Sequence, residues 1–230
     1  MKQLLILISN ILIGMSITAH AQELKRTEPV FSDYIPILKD AGYEVFSFDI
    51  SSLKDDTYNI GFAVREYVMG ELVPDPLEGA FALTNRDMIS DYSKGSQLIE
   101  EDLAYDVEKG IFKLYEKMTI GISPSADSLK NVSLSVGKYR IGRDLPLKTM
   151  DAPGIFGKQY FYDTRPFEVN TISIGEFVPL VLLGTWWYDE DAQIIRFCGD
   201  DELAADMSSG MLKRIPHYYV IGVIVTRGKN

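Results

Sequence analysis

Cysteine is almost missing from this 230-residue chain, with Cys198 its only example. One thiol cannot close a disulfide within the chain, so burial alone must hold the fold together. Cys198 follows Arg196-Phe197 in a strand-like run, and free cysteines are among the most buried residue types, so it is expected in the core. Histidine is nearly as scarce: His20 and His217 are the only two. That excludes multi-histidine metal sites and leaves one candidate base, His217, for a Ser nucleophile or for Cys198. Because His217 follows Pro216 and enters an apolar run, a structural role, bonded through a ring nitrogen, is the expectation. Positive charge is short as well, with 23 Lys and Arg against 33 Asp and Glu and a net charge of −10. No basic cluster exceeds Lys25-Arg26 or Lys213-Arg214, which argues against nucleic acid and anionic lipid as partners. Long apolar runs are missing beyond the N-terminus. The most hydrophobic later stretch, Phe177 to Gly184, is strand-sized, so no transmembrane segment is expected in the mature chain.

The N-terminus itself reads Met1-Lys2-Gln3, then an apolar run from Leu4 to Ile17 interrupted by Ser9-Asn10, Gly14 and Ser16, then Ala19-His20-Ala21. A charged start, an apolar middle and an A-x-A exit are the pattern of a secretory signal peptide, with cleavage expected after Ala21. Removal of residues 1–21 takes away Lys2 and no acid, which moves the net charge from −10 to −11. The product is expected to be exported, and periplasmic, surface-held or extracellular.

An internal repeat organises the rest. Sliding the sequence by 72 positions aligns Tyr43–Pro74 with Tyr115–Pro146 without a gap, and ten pairs are identical, among them Tyr43/Tyr115, Asn59/Asn131, Val64/Val136 and Pro74/Pro146. Tyr105-Asp106 and Ile111–Leu114 recur 83 positions on as Tyr188-Asp189 and Ile194–Phe197, and Met118–Ile122 echoes Tyr219–Val223 at 101. Offsets that only grow are what insertions into a duplicated unit produce, here 11 residues and then 18 around Gly199 to Arg214.

Each copy alternates with period two. Tyr58, Ile60, Phe62 and Val64 alternate with Asn59, Gly61, Ala63 and Arg65, as Val132, Leu134 and Val136 do with Asn131, Ser133 and Ser135, and the even offset keeps one face apolar in both. Met69-Gly70 and Ile141-Gly142 are expected to turn, and Glu108–Gly110 and Glu190–Ala192 to close hairpins. Helix signals are confined to Pro36–Ala41, stopped by Gly42, and Ser208–Ile215, stopped by Pro216. The run Leu38–Val45 superficially suggests the helix-to-strand step of an α/β hydrolase, but no G-x-S-x-G follows. The expectation is therefore an all-β, mainly antiparallel protein: tandem duplicated β-sandwich units with one or two short helices. The boundaries are 1–21 signal peptide, 22–42 lead segment, 43–117 first unit and 118–230 second unit with the insertions.

The runs Gly42–Asp49, Ile194–Asp200 and Ile215–Gly222 resemble a family of exported Bacteroides-type proteins of unknown function. The resemblance spans nearly all of the mature chain and implies export; it carries over no catalytic residue. Exported proteins of such bacteria can carry O-linked glycans at Asp-Ser/Thr-apolar triplets, which Asp127-Ser128-Leu129 resembles, although an ordinary turn accounts for those residues.

The chemistry on offer is sparse. Glycoside cleavage needs two carboxyl groups at roughly 5 to 9.5 Å, and Asp189-Glu190-Asp191 and Asp200-Asp201-Glu202 are the candidates, both in expected loops where acids stay solvated. Asp200, Asp201, Glu202 and Asp206 offer calcium-type oxygen ligands without the spacing of a D-x-D-x-D-G loop, so no metal and no cofactor is assigned. Trp186, Trp187 and Tyr188 form the candidate ligand-binding cluster. Neighbours in a strand face opposite sides, so one indole is expected in the core and the other outside, as a platform for a sugar or peptide. The balance falls on a noncatalytic binding or structural module of the cell envelope, with a glycan or an envelope protein as partner. The alternative is a carboxylate-dependent hydrolase of polysaccharide or peptidoglycan. Burial of both tryptophans with no groove beside them counts against the first reading.

Overall fold

A computed structural model describes residues 26–92, 104–150, 152–155 and 157–228. The expected signal peptide lies outside them. Contacts divide the chain after Pro36, and residues 37–228 gather into one compact unit.

The single α-helix among the described residues, α1 (Phe31–Asp40), begins five residues before the expected start and carries Pro36 inside it. Gly42 ends it as the sequence suggests. With φ at +82°, Gly42 donates to the Lys39 carbonyl and Tyr43 to that of Leu38, the paired bonds of a Schellman stop.

Everything else of size is β. Strands β1 (Glu44–Asp49), β2 (Tyr58–Val68), β3 (Glu71–Val73), β4 (Ala82–Thr84), β5 (Arg86–Met88) and β6 (Ile111–Leu114) precede the longer β7 (Lys117–Ala126), β8 (Leu129–Val136) and β9 (Tyr139–Pro146). After them come β10 (Tyr162–Glu168), β11 (Phe177–Thr185), β12 (Trp187–Asp189), β13 (Ile194–Arg196), β14 (Leu203–Ala204) and β15 (His217–Arg227).

Two sheets dominate. The smaller runs β1-β7-β8-β9; the larger runs β14-β10-β11-β15-β2-β3, with β4 beside the other end of β2. All pairings within them are antiparallel except β10 with β14. They pack face to face around one core: Met118, Ile120, Val132 and Leu134 from the smaller sheet meet Ile60, Val64, Val181, Tyr219 and Ile221 from the larger. The repeat pairs Ile60/Val132, Phe62/Leu134 and Val64/Val136 enter this core from opposite layers, β2 in one sheet and β8 in the other. The recurrence at 83 positions has a structural counterpart too, since Asp106 bridges Ile111 as Asp189 pairs with Ile194.

The repeat does not fix the hairpin tips. Met69-Gly70 turns between β2 and β3, both residues at positive φ, but Ile141-Gly142 lies inside β9. The second hairpin turns four residues earlier, at Gly137-Lys138, where Gly137 has φ +57° and no side chain to collide with the Tyr115 ring. Ser208–Ile215 is not a helix either. It makes isolated turns, Leu212 N–H to Ser209 and Arg214 N–H to Met211, and Met211, Leu212 and Ile215 enter a second core from them.

That second core lies on the other face of the larger sheet. Leu182, Tyr218 and Val220 from the sheet are covered by Leu203, Met211, Leu212 and Ile215 of the stretch between β13 and β15, with Trp187 and Phe197 from the β12–β13 hairpin and its exit. The larger sheet is therefore buried on both sides, which explains the near-continuous burial of Val178–Thr185 and of His217–Val223.

Candidate functional site

The three aromatic candidates part company at the end of β11. Trp187 is 5% exposed and sits in the second core with its ring 6.2 Å from Phe197. Trp186 falls between β11 and β12, tied by its N–H to the Phe161 carbonyl, and is half-buried with its ring 5.8 Å from that of Phe161. Its indole N–H has no partner among the described residues. Tyr188, opposite Ile195, is also half-buried.

All three line a cleft of about 300 Å³. Its walls include Met69 at the tip of the β2–β3 hairpin, Lys148 and Met150 after β9, and His217 at the start of β15. The sheet register explains the assembly. Tyr162, Thr185, His217 and Val68 form one row across β10, β11, β15 and β2, because Tyr162 pairs with Thr185, His217 with Val68, and Gly184 with Tyr218.

Behind the cleft His217 is 3% exposed, and both its ring nitrogens are taken. Nε2 donates to Glu66 Oε1 at 3.0 Å, and Nδ1 accepts from the Tyr162 hydroxyl. Lys148 closes the circuit twice, its N–H donating to Tyr162 at 2.9 Å and its ammonium standing 3.3 Å from the same Glu66 oxygen. Burial pushes the imidazole below its ordinary value despite the opposing pull of Glu66. Burial also works to raise the Glu66 carboxyl, but His217 and Lys148 together hold it below the usual range. Burial likewise drives the Tyr162 phenol upward. The result is a neutral, fully bonded histidine, a proton already committed on each side, and neither ring nitrogen bonded to a Ser or Cys side chain.

Sequence reasoning picked out His217 but not Glu66 or Tyr162, which lie 151 and 55 positions away. Only the diagonal neighbour relation across β2 and β15 brings Glu66 to the imidazole. A second polar cluster was also missed. The Asp87 carboxylate accepts from Tyr92 at 2.7 Å and Tyr115 at 3.0 Å, with the Lys138 ammonium at 3.0 Å. Beside it Asn85 and Arg86 are buried and donate to the carbonyls of Leu53, Lys54 and Asp56. These bonds fasten the loop between β1 and β2 to the body of the protein.

Cys198 is exposed, contrary to expectation. Phe197 turns into the second core, so its neighbour turns out, and Gly199 at φ +147° carries the chain away from the sheet. The thiol lies in a different depression from His217, with Asp200, Met211 and Arg214. The acidic clusters are spread over turns. Asp189 is ion-paired with Arg196, Asp200 accepts from Ser209 at 2.8 Å, and Glu190, Asp191, Asp201 and Glu202 are exposed. Among the described residues no three His, Cys, Asp or Glu side chains converge as metal ligands, and no helix is long and apolar enough to cross a membrane. Asp127-Ser128 forms the turn between β7 and β8.

The architecture is thus a mostly antiparallel β protein with two packed sheets and an aromatic-walled cleft at one end of the larger one. The chain belongs to the family described as domain of unknown function DUF5041, whose model matches residues 13–227. No curated protein and no solved structure matches it.

Proposed function

We propose that this protein is an exported, noncatalytic β-sandwich binding module of the cell envelope, periplasmic or at the surface, that takes a glycan at the cleft beside Trp186. The observation that carries this reading is the cleft itself, where half-buried Trp186 and Tyr188 share a concave wall with Lys148. An indole and a phenol present flat apolar faces to a sugar ring, and Lys148 beside them is a donor for a hydroxyl oxygen. A cavity of about 300 Å³ suits one or two sugar rings better than the flat patch of a protein interface. Export is supported by the charged start, apolar run and Ala19-His20-Ala21 exit of residues 1–21. The noncatalytic reading rests on His217, whose ring nitrogens are both occupied, and on acids dispersed over turns rather than paired across the cleft. We read Tyr43–Pro74 and Tyr115–Pro146 as copies of one β-unit, whose β2 and β8 face each other across the core, with the insertions of the second copy shaping the ligand end.

The test is a glycan-array screen of residues 22–230 with Trp186→Ala and Trp187→Ala beside it, each checked by circular dichroism. Binding by the parent that a folded Trp186→Ala variant loses by tenfold or about that supports the reading. Hydrolysis of an arrayed glycan, or no binding at all, refutes it.

A further inference from the structure

The opposite side of the molecule holds a larger cleft, about 390 Å³, that the binding reading above leaves unused. It opens where the two sheets part, between the end of β1 and the segment Val169–Ile172 that follows β10. Its floor is core: Met118 and Leu180 are each 1% exposed. Ser47 and Asp49 stand at its rim, and Asp49 is its one charged lining residue.

β1 is an edge strand, and among the described residues no strand pairs with its outer side. The Ile50 N–H bonds to Glu116 across the β1–β7 ladder, which fixes the alternation: Phe46 and Phe48 bond inward, while Val45, Ser47 and Asp49 direct their N–H and C=O outward. Their side chains are exposed, Val45 by 70%. The start of β1 is tied to the other sheet, with the Thr164 hydroxyl donating to Glu44 at 2.5 Å, and its later residues Ser47, Phe48 and Asp49 border the cleft. An unprotected edge of this kind is normally blunted by a lysine, a proline or a bulge, and β1 has none of these.

We propose that this edge is a second binding site, which takes an extended peptide as an added strand along Val45–Asp49, one apolar side chain seated in the cleft against half-buried Phe48, Val169 and Ile172 and one basic side chain against Asp49. The alternating donors and acceptors at strand spacing match a polypeptide backbone and nothing in a glycan. The half-buried apolar lining selects the apolar anchor, and the lone carboxylate selects a cation beside it. A second copy of the chain fits less well: β1 carries Glu44 and Asp49 and no basic residue, so self-pairing brings acid and no cation to the rim.

The experiment is selection of a phage-displayed library of random linear peptides on the 22–230 chain, followed by anisotropy with a labelled synthetic winner and hydrogen exchange. The expected result is enrichment of peptides that alternate apolar residues with Lys or Arg, and slowed exchange over residues 44–49. Ser47→Pro removes one outward N–H without touching the β7 ladder, and exposed Thr171→Trp narrows the cleft from its other wall. Each lowers affinity by about tenfold. Asp49→Asn keeps the acceptor for the Ser51 N–H and lowers it by about threefold. The proposal is overturned if nothing is enriched, if protection falls elsewhere, if Ser47→Pro and Thr171→Trp bind as the parent does, or if sedimentation shows the edge already closed by a second copy. None of these outcomes depends on Trp186, so failure here leaves the glycan site standing.

Discussion

His217 shows how a side chain that could do chemistry is assigned to structure by its neighbours. Tyr162, Glu66 and Lys148 satisfy every polar atom around the ring, at the cost of keeping the imidazole neutral in a buried place. That cost has a pH signature. The folded value lies below the ordinary 6.5, so as the pH falls the unfolded chain takes up the proton first. Stability is therefore complete above about pH 6.5 and declines as the pH drops through the folded value. The Glu66 carboxyl, also held below its ordinary value of 4.5, adds a second loss of the same sign in the acid range below it. Thermal melts between pH 7.5 and 5 should show a falling melting temperature for the parent and a flatter profile for His217→Gln. A profile that is level in the parent contradicts the buried, neutral assignment. Trp187 makes the complementary case. At 5% exposure in the second core, its replacement by alanine should cost about 3–5 kcal/mol in a denaturant titration, whereas Trp186→Ala should cost clearly less. Equal losses would show that Trp186 is core and not platform.

At the scale of elements, period-two alternation was enough to find β2 and β8 and to say which residues face inward, because burial on one face imposes that pattern directly. The repeat pairs proved to point into one core from two layers, a relation that no spacing in a single sequence encodes. Turns were legible only where backbone chemistry demands a particular residue. Gly70 satisfies the positive φ of the β2–β3 hairpin, and Gly137 does so for β8–β9, although the repeat alignment pointed to Gly142. The stretch Ser208–Ile215 misled for a different reason: Met211, Leu212 and Ile215 fall at a spacing that one helix face would share, yet they reach the second core from isolated turns. The candidate trio was found from composition, but the order of burial within it depends on how Phe197 and the insertion cover Trp187. Met69 occupies the first turn position at φ +52°, a conformation that costs a methionine more than an asparagine. Met69→Asn should raise stability by about 0.5–1 kcal/mol by chemical denaturation, and a loss would mean that the exposed Met69 side chain packs usefully. Gly222 is the opposite case. In mid-β15 its missing side chain admits the Val178 carbonyl at the bulge of β11, so Gly222→Ala should lower the melting temperature sharply and is expected to impair folding.

On the scale of the whole molecule, the larger sheet is the frame. Covered by the smaller sheet on one face and by the insertion on the other, it needs no disulfide, consistent with a single cysteine left at the surface. Its two ends differ. One gathers Trp186, Tyr188, Lys148 and the bonded His217 around a small concave cleft, and the other borders a cleft shared with the edge strand β1 of the smaller sheet. The two proposed sites call on different chemistry, aromatic faces in one case and backbone pairing in the other. The acidic net charge suits both, since neither asks for a phosphate-rich partner. The central claim, that the cleft beside Trp186 is the glycan site, is tested most directly by tryptophan fluorescence. Trp187→Phe leaves Trp186 as the sole indole, and Trp186→Phe leaves only the buried one. Titrated with a glycan that the array identifies, the first variant should show a saturable shift in emission and the second none. A shift that follows Trp187, or one that survives the loss of Trp186, would contradict the account.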